Sequence, residues 1–129
     1  MLHVDHQQRR SSGLDAMQLI DRAIAYCRET GDCWMEPELL RIKGDFLLDC
    51  DDKLPDMAET AFMKALELAR EHEAKSWELR AATSLAGLWR SRDRESEARK
   101  LITPVYEWYT EGFATHDLRE AKSLLEHIS

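Results

Sequence analysis

The sequence predicts an all-α fold of about six helices, stacked as antiparallel hairpins. Three observations predict it. Glycine and proline are scarce, at five and three in 129 residues, so breaks and tight turns are few. Apolar residues recur at the spacing of one helical face in six successive windows, and no window alternates as a strand does. The same apolar pattern also returns about every 40 residues, which marks a repeat architecture. The length suits one domain with one modest core.

Residues 1–13 read as an N-terminal arm and 14–129 as the helical repeat domain. The arm holds His3, His6, Arg9, Arg10, Ser11, Ser12 and Gly13 and has no apolar stripe. A solvated tail is the better reading of its two histidines than a metal contact. The first helix runs from Leu14 to Thr30, with Ala16, Leu19, Ile20, Ala23, Ile24 and Cys27 in one stripe. Gly31 follows as its C-terminal cap.

The second helix covers Trp34 to Cys50. Pro37 falls in its first turn, where a missing N–H does little harm. Leu39, Leu40, Ile42, Gly44, Phe46, Leu47 and Leu48 supply its buried positions, and Asp49, Asp51, Asp52 and Lys53 form a polar loop. The third helix starts at Pro55 and runs to His72, striped by Met57, Ala58, Ala61, Phe62, Ala65, Leu66 and Ala69. The fourth spans Lys75 to Ser91, with Leu79, Ala82, Leu85, Ala86 and Trp89 inward.

Asp93 is placed to cap the fifth helix, Arg94 to Glu111. Pro104 inside it should bend it or leave the Lys100 carbonyl unpaired, and Gly112 should end it. The sixth runs from Asp117 to His127, capped by Thr115 or His116. Short connections make neighbouring helices antiparallel.

The repeat is visible residue by residue. Ala16, Ile20, Ala23 and Ile24 are matched by Ala58, Phe62, Ala65 and Leu66, then by Ala98, Ile102, Val105 and Tyr106, at offsets of 42 and 40. Leu40, Gly44 and Leu47 are matched by Ala82, Ala86 and Trp89, again 42 apart. Small residues let two helices of a hairpin approach closely, and large ones fill the groove to the next. One hairpin cannot bury both faces, so hairpins stack.

This small-and-large pattern resembles the tetratricopeptide (TPR) repeat, with longer helices or loops than its usual period. HEAT-type repeats, which have the longer period, are the second choice. A closer resemblance lies in Glu38 through Leu48, Ala61 through Arg70, Ala74 through Trp89, Pro104 through Tyr106, Thr110 through Phe113, Asp117-Leu118 and Glu120 through Lys122. These segments look like the TPR tail of bacterial proteins in which an adenylate/guanylate cyclase or winged-helix regulator domain precedes a predicted ATPase. The resemblance covers about residues 14–128. It implies a non-catalytic, signalling-associated scaffold, since in such proteins the nucleotide chemistry belongs to upstream domains. It further implies a free-standing relative, a truncated reading frame or an excised domain. The arm stands where a full preceding repeat would be expected, which leaves the first helix without its hairpin partner. One apolar face of that helix is then open to a second copy, as a homodimer through it, or to an upstream domain.

Composition narrows the function. A net charge of −7 and a pI near 5.2 argue against general binding to nucleic acid or anionic membrane. No signal peptide or membrane span is evident, and a cytoplasmic location is expected. Cys27, Cys33 and Cys50 are odd in number and include no Cys-x-x-Cys pair, so buried reduced thiols are expected in place of a disulfide or a zinc site.

No catalytic set is legible. His72, His116 and His127 lie near helix ends, and Glu71 and Glu73 flank His72 on different faces. The run Asp49, Asp51, Asp52 and Asp56 lacks the central glycine and terminal glutamate of a calcium loop. Phosphate-binding glycine loops are absent. The expectation is therefore no enzyme, no cofactor and no metal. Trp34, Trp77, Trp89 and Trp108 sit at helical spacing and are expected in the core rather than stacking on bases.

If the first helix of each hairpin lines a groove, its open positions are Glu38, Arg41, Asp45 and Leu48, then Arg80, Thr83, Gly87 and Arg90. This strip has mixed charge with an arginine bias in its second half. It suits a protein or peptide carrying acidic groups. It does not reproduce the carboxylate clamp of chaperone-binding TPRs. The alternative function is a small-ligand or nucleotide sensor with a pocket between hairpins.

Overall fold

The structure of the chain, a computed structural model, describes residues 6–31, 34–49 and 54–128, with side chains from Asp15 onward. Six helices and no strand occur among them: α1 His6–Thr30, α2 Glu36–Asp49, α3 Pro55–Glu71, α4 Lys75–Ser91, α5 Glu95–Glu107 and α6 His116–His127. The all-helical fold is therefore the one expected, and four helices agree with the sequence reading to within two residues at each end.

The other two helices differ. α1 begins at His6 and runs through much of the segment read as an arm. Gly13 alone weakens a helix by about 1 kcal/mol relative to alanine, too little to end it. Residues 1–5, His3 among them, lie outside the described residues. α5 ends at Glu107 instead of Glu111, three residues beyond Pro104. Proline offers no N–H to the Lys100 carbonyl, and the helix survives it by less than a turn. Gly112 then serves a turn of the next connection, at φ +80 and with Thr115 N–H donating to its carbonyl at 2.9 Å.

Asp93 does not cap α5. It adopts φ +61, and Arg94 holds the cap position without a side-chain hydrogen bond. The reason is the turn that precedes it. α3 and α4 end in the same Schellman motif, with Glu73 and Asp93 as its left-handed residues. Glu73 N–H donates to Arg70 O and Ala74 N–H to Ala69 O. Asp93 N–H donates to Arg90 O and Arg94 N–H to Trp89 O. α1 ends in the simpler motif, Gly31 N–H to Cys27 O at 3.0 Å with φ +70, as its glycine suggested.

Consecutive helices pack on one another, and beyond that α2 meets α4 and α4 meets α6. The small residues do what the repeat required. Ala58, Ala65, Ala82, Ala86 and Ala98 are fully buried among Phe62, Leu79, Leu85 and Ile102. At Gly44 the approach is closest: a Cβ there would stand 2.7 Å from Phe62 Cδ1 and 2.8 Å from Cζ.

The two ends of the stack differ. Among the described residues α1 packs on α2 alone, held by Lys43–Asp21 at 2.8 Å and Arg28–Glu36 at 3.0 Å. Its far side leaves Leu19 65% and Tyr26 67% exposed. α6 packs on α4 and α5, and Arg99 donates to the Ile128 carbonyl beyond it. Its open side is polar: Lys122 and Glu126, 40 residues after Ala82 and Ala86, are exposed where those alanines are buried.

Cys27 is disulfide-bonded, which corrects the expectation of reduced thiols. Cys33 and Cys50 lie outside the described residues. The cysteine pattern therefore no longer supports a reducing compartment. Among the described residues no helix is long and apolar enough to cross a membrane.

Candidate functional site

α2, α4 and α6 share one face because each is the first helix of its repeat. Between them lies a polar cavity of about 360 Å³, lined by Arg41 and Asp45 of α2, Arg80, Thr83, Ser84 and Gly87 of α4, and His116, Asp117 and Glu120 of α6. A second cavity of about 610 Å³ continues it toward Arg90, Arg119, Ser123, Leu124 and His127. Thr83, Gly87, His116 and Glu120 border both, so the two form one groove.

A chain of ion pairs crosses the groove from α2 to α6. Arg41 donates to Asp45 Oδ2 at 2.7 Å and to both Glu38 oxygens, at 2.5 and 3.2 Å. Arg80 donates to Glu38 Oε2 and, at 3.3 Å, to Asp117 Oδ1. Glu38 is 5% exposed, so its charge is buried and shared by two guanidinium groups. This corrects its reading as an open groove residue: it holds the floor together. It occurs on the first turn of α2, where a carboxylate also suits the helix dipole.

Burial sets the electrostatics here. It works to lower the Arg41 guanidinium, but hydrogen bonds and charge from Glu38, then Asp45, outweigh it and hold the group above its ordinary value. The Asp45 carboxyl is pushed up by burial, with Asp49 and Glu38 adding to the rise against the pull of Arg41.

Of the other expected groove residues, Arg41, Asp45, Arg80, Thr83, Gly87 and Arg90 do line it. Leu48 is half-buried against the core. Thr83 Oγ1 donates to Leu79 O at 2.7 Å, which leaves the hydroxyl free to accept. The wall supplied by α6 was missed, because that helix was read only as a closing element. A signal existed: 40 residues after Arg80, Thr83 and Gly87 stand Glu120, Ser123 and His127, and all three line the groove.

The tryptophans are less buried than expected. Trp34 is 67% exposed and stacks on Trp77, with centroids 5.9 Å apart and rings 14° from parallel. The Arg80 guanidinium lies 5.6 Å over Trp77. Trp108, 56% exposed, meets Tyr109 edge-on and carries Lys75 Nζ at 5.0 Å. Tyr109 donates its hydroxyl to Lys75 O at 2.9 Å. Burial, then the charges of Glu78 and Asp117, raise its hydroxyl above the ordinary value. None of these rings lines either cavity; Trp77 is tied to the groove through Arg80.

An apolar hollow of about 700 Å³ lies on the other side, where Met63 and Leu66 of α3 face Leu85, Trp89 and Leu101. Trp89 Nε1 is buried there without a hydrogen-bond partner among the described residues, and the Arg94 guanidinium lies 4.7 Å over its ring.

The three histidines whose side chains are described do not converge. His72 is exposed at the end of α3, His116 faces Glu120 at 3.4 Å, and His127 Nδ1 lies 2.7 Å from Ser123 O. No group of three or more His, Cys, Asp or Glu side chains is placed to hold a metal among the described residues. Asp51 and Asp52 of the acidic run lie outside them. No family model matches the sequence, and neither a curated protein nor a solved structure matches it significantly.

Proposed function

We propose that the protein is a non-catalytic TPR-like interaction module whose groove of α2, α4 and α6 receives a protein or peptide partner. The observation that carries this reading is the ion-pair chain Asp45–Arg41–Glu38–Arg80–Asp117. It fixes three helices of the groove in one polar, preorganised surface, which lowers the ordering a partner must bring about. Exposed Trp34, stacked on the Trp77 ring that Arg80 covers, is of a residue type that dominates binding energy at interfaces. The resemblance to cyclase- and ATPase-associated tails adds a signalling role to this proposal. A small-ligand or nucleotide sensor is less favoured, because both cavities are open and the arginines of the first, Arg41 and Arg80, are already paired.

Site-specific photo-crosslinking tests it. A crosslinker at Thr83 in the groove should capture a partner that one at Met63, on the opposite side, does not. Thr83→Trp should then abolish capture by a crosslinker at Ser84. Equal capture from both sides, or none from the groove, removes the reading.

Self-association through α1 is a second reading, supported by exposed Leu19 and Tyr26 on a helix that packs on α2 alone among the described residues. Light scattering should find a dimer that Leu19→Glu with Tyr26→Glu converts to monomer. A wild-type monomer at all concentrations removes this second reading.

A further inference from the structure

Two glycines interrupt the first helices of the hairpins, and only one has a reason inside the chain. Gly44 is required by Phe62, as its missing Cβ shows. At Gly87 an added Cβ would meet nothing within 4 Å among the described residues. Its φ is not left-handed, so the backbone does not demand glycine there either. A mid-helix glycine weakens its helix relative to alanine. Gly87 therefore stands at the centre of the groove, bordering both cavities, with no structural role that alanine could not fill better.

The charges beside it are equally unspent. Arg41 and Arg80 are each held by two carboxylates. Arg90 and Arg119, in the same groove beyond Gly87, have no carboxylate partner among the described residues. One carboxylate, Glu120, lines the same cavity, 3.4 Å from His116 Nε2. One end of the groove thus presents two free guanidinium groups in a chain of net charge −7, while the other end is neutralised from within.

We propose that this half of the groove is an acidic-peptide subsite: an extended segment crosses α4 in contact with the bare backbone at Gly87 and seats a carboxylate between Arg90 and Arg119. Guanidinium groups bind carboxylates through paired, charge-assisted hydrogen bonds, which favours a carboxylate here. The absent Cβ lets a main chain lie against the helix, as at other glycines where a ligand approaches backbone. Three helices at roughly 10 Å spacing make a groove roughly 20 Å across. An extended chain spans that with about six or seven residues. The subsite rests on the groove reading above and assigns it an orientation, with the acidic end of the partner over α6.

Fluorescence anisotropy with labelled nonapeptide pools tests it. One pool carries a Glu-Asp pair near one end of an Ala/Ser/Gly chain, a second carries Lys-Lys there, and a third is neutral. The acidic pool should bind wild type at least about tenfold tighter than either other pool, about 1.4 kcal/mol. Gly87→Leu, and separately Arg90→Glu with Arg119→Glu, should each remove that preference, while Met63→Glu on the opposite side should not. Gly87→Ala should raise Tm and weaken binding together, a split that a merely structural glycine does not produce. An acidic pool bound no better than the others, or bound by Gly87→Leu as by wild type, overturns the subsite. In that event the groove reading survives only if Thr83→Trp still blocks one pool. No binding of any pool sinks both.

Discussion

Replacing Glu38 with glutamine keeps the shape of the groove floor and removes one charge. Glu38 is 5% exposed and bonded to Arg41 through both oxygens and to Arg80 through one. Removing one member of a buried ion pair costs about 3–5 kcal/mol, because the remaining charge is left desolvated. Two features reduce that figure. Arg41 keeps Asp45 at 2.7 Å and Arg80 keeps Asp117 at 3.3 Å. The Arg80 side chain is also 33% exposed, so water takes up part of its charge. The expected loss is about 2–3 kcal/mol, seen in urea denaturation as a lower midpoint with an unchanged slope. In a thermal scan of a domain this size it corresponds to a fall of roughly 6–15 °C. A double-mutant cycle with Arg80→Gln should show a coupling of about 1–2 kcal/mol. A loss below about 0.5 kcal/mol, the scale of a surface pair, would refute the claim that this carboxylate ties two hairpins together.

Gly44→Ala should destabilise by about 1–3 kcal/mol despite the better helix former, because its Cβ meets the fully buried Phe62 ring; denaturant unfolding checks this, and a gain in stability would show that Phe62 yields. Asp45→Asn tests the raised carboxyl. A group whose folded pKa lies above its unfolded value favours the fold below the unfolded pKa and loses that contribution as pH rises through the folded one. The Tm of Asp45→Asn relative to wild type should therefore rise between about pH 3 and pH 7; a relative fall contradicts the sign. Thiol titration of the unreduced, denatured protein should find one free cysteine, and three after reduction. Three before reduction would exclude the bond at Cys27.

The helices were legible because their cause is local: an apolar stripe with few breakers. The stacking was legible because small residues recur at one register. Glu38 was misplaced because a charge in a one-dimensional pattern reads as surface, although its equivalent 42 residues on is Arg80. Equivalent positions in stacked hairpins become neighbours, so opposite charges at one register already implied a pair. Asp93 was misread because aspartate suits both a helix cap and a left-handed turn. The three-residue connection decided for the turn. The disulfide was illegible for a different reason: pairing depends on distance in space, and three cysteines in sequence leave the pair undefined.

The unlike ends of the stack give the scaffold a direction of growth. A hairpin grafted ahead of α1 would find Leu19 and Tyr26 ready to be covered. One grafted behind α6 would have to bury Lys122 and Glu126 where the repeat calls for small apolar residues. Duplication or engineered fusion should therefore lengthen this architecture from its N-terminal side, with the groove extended past Asp45 and the cationic end left as a fixed terminus.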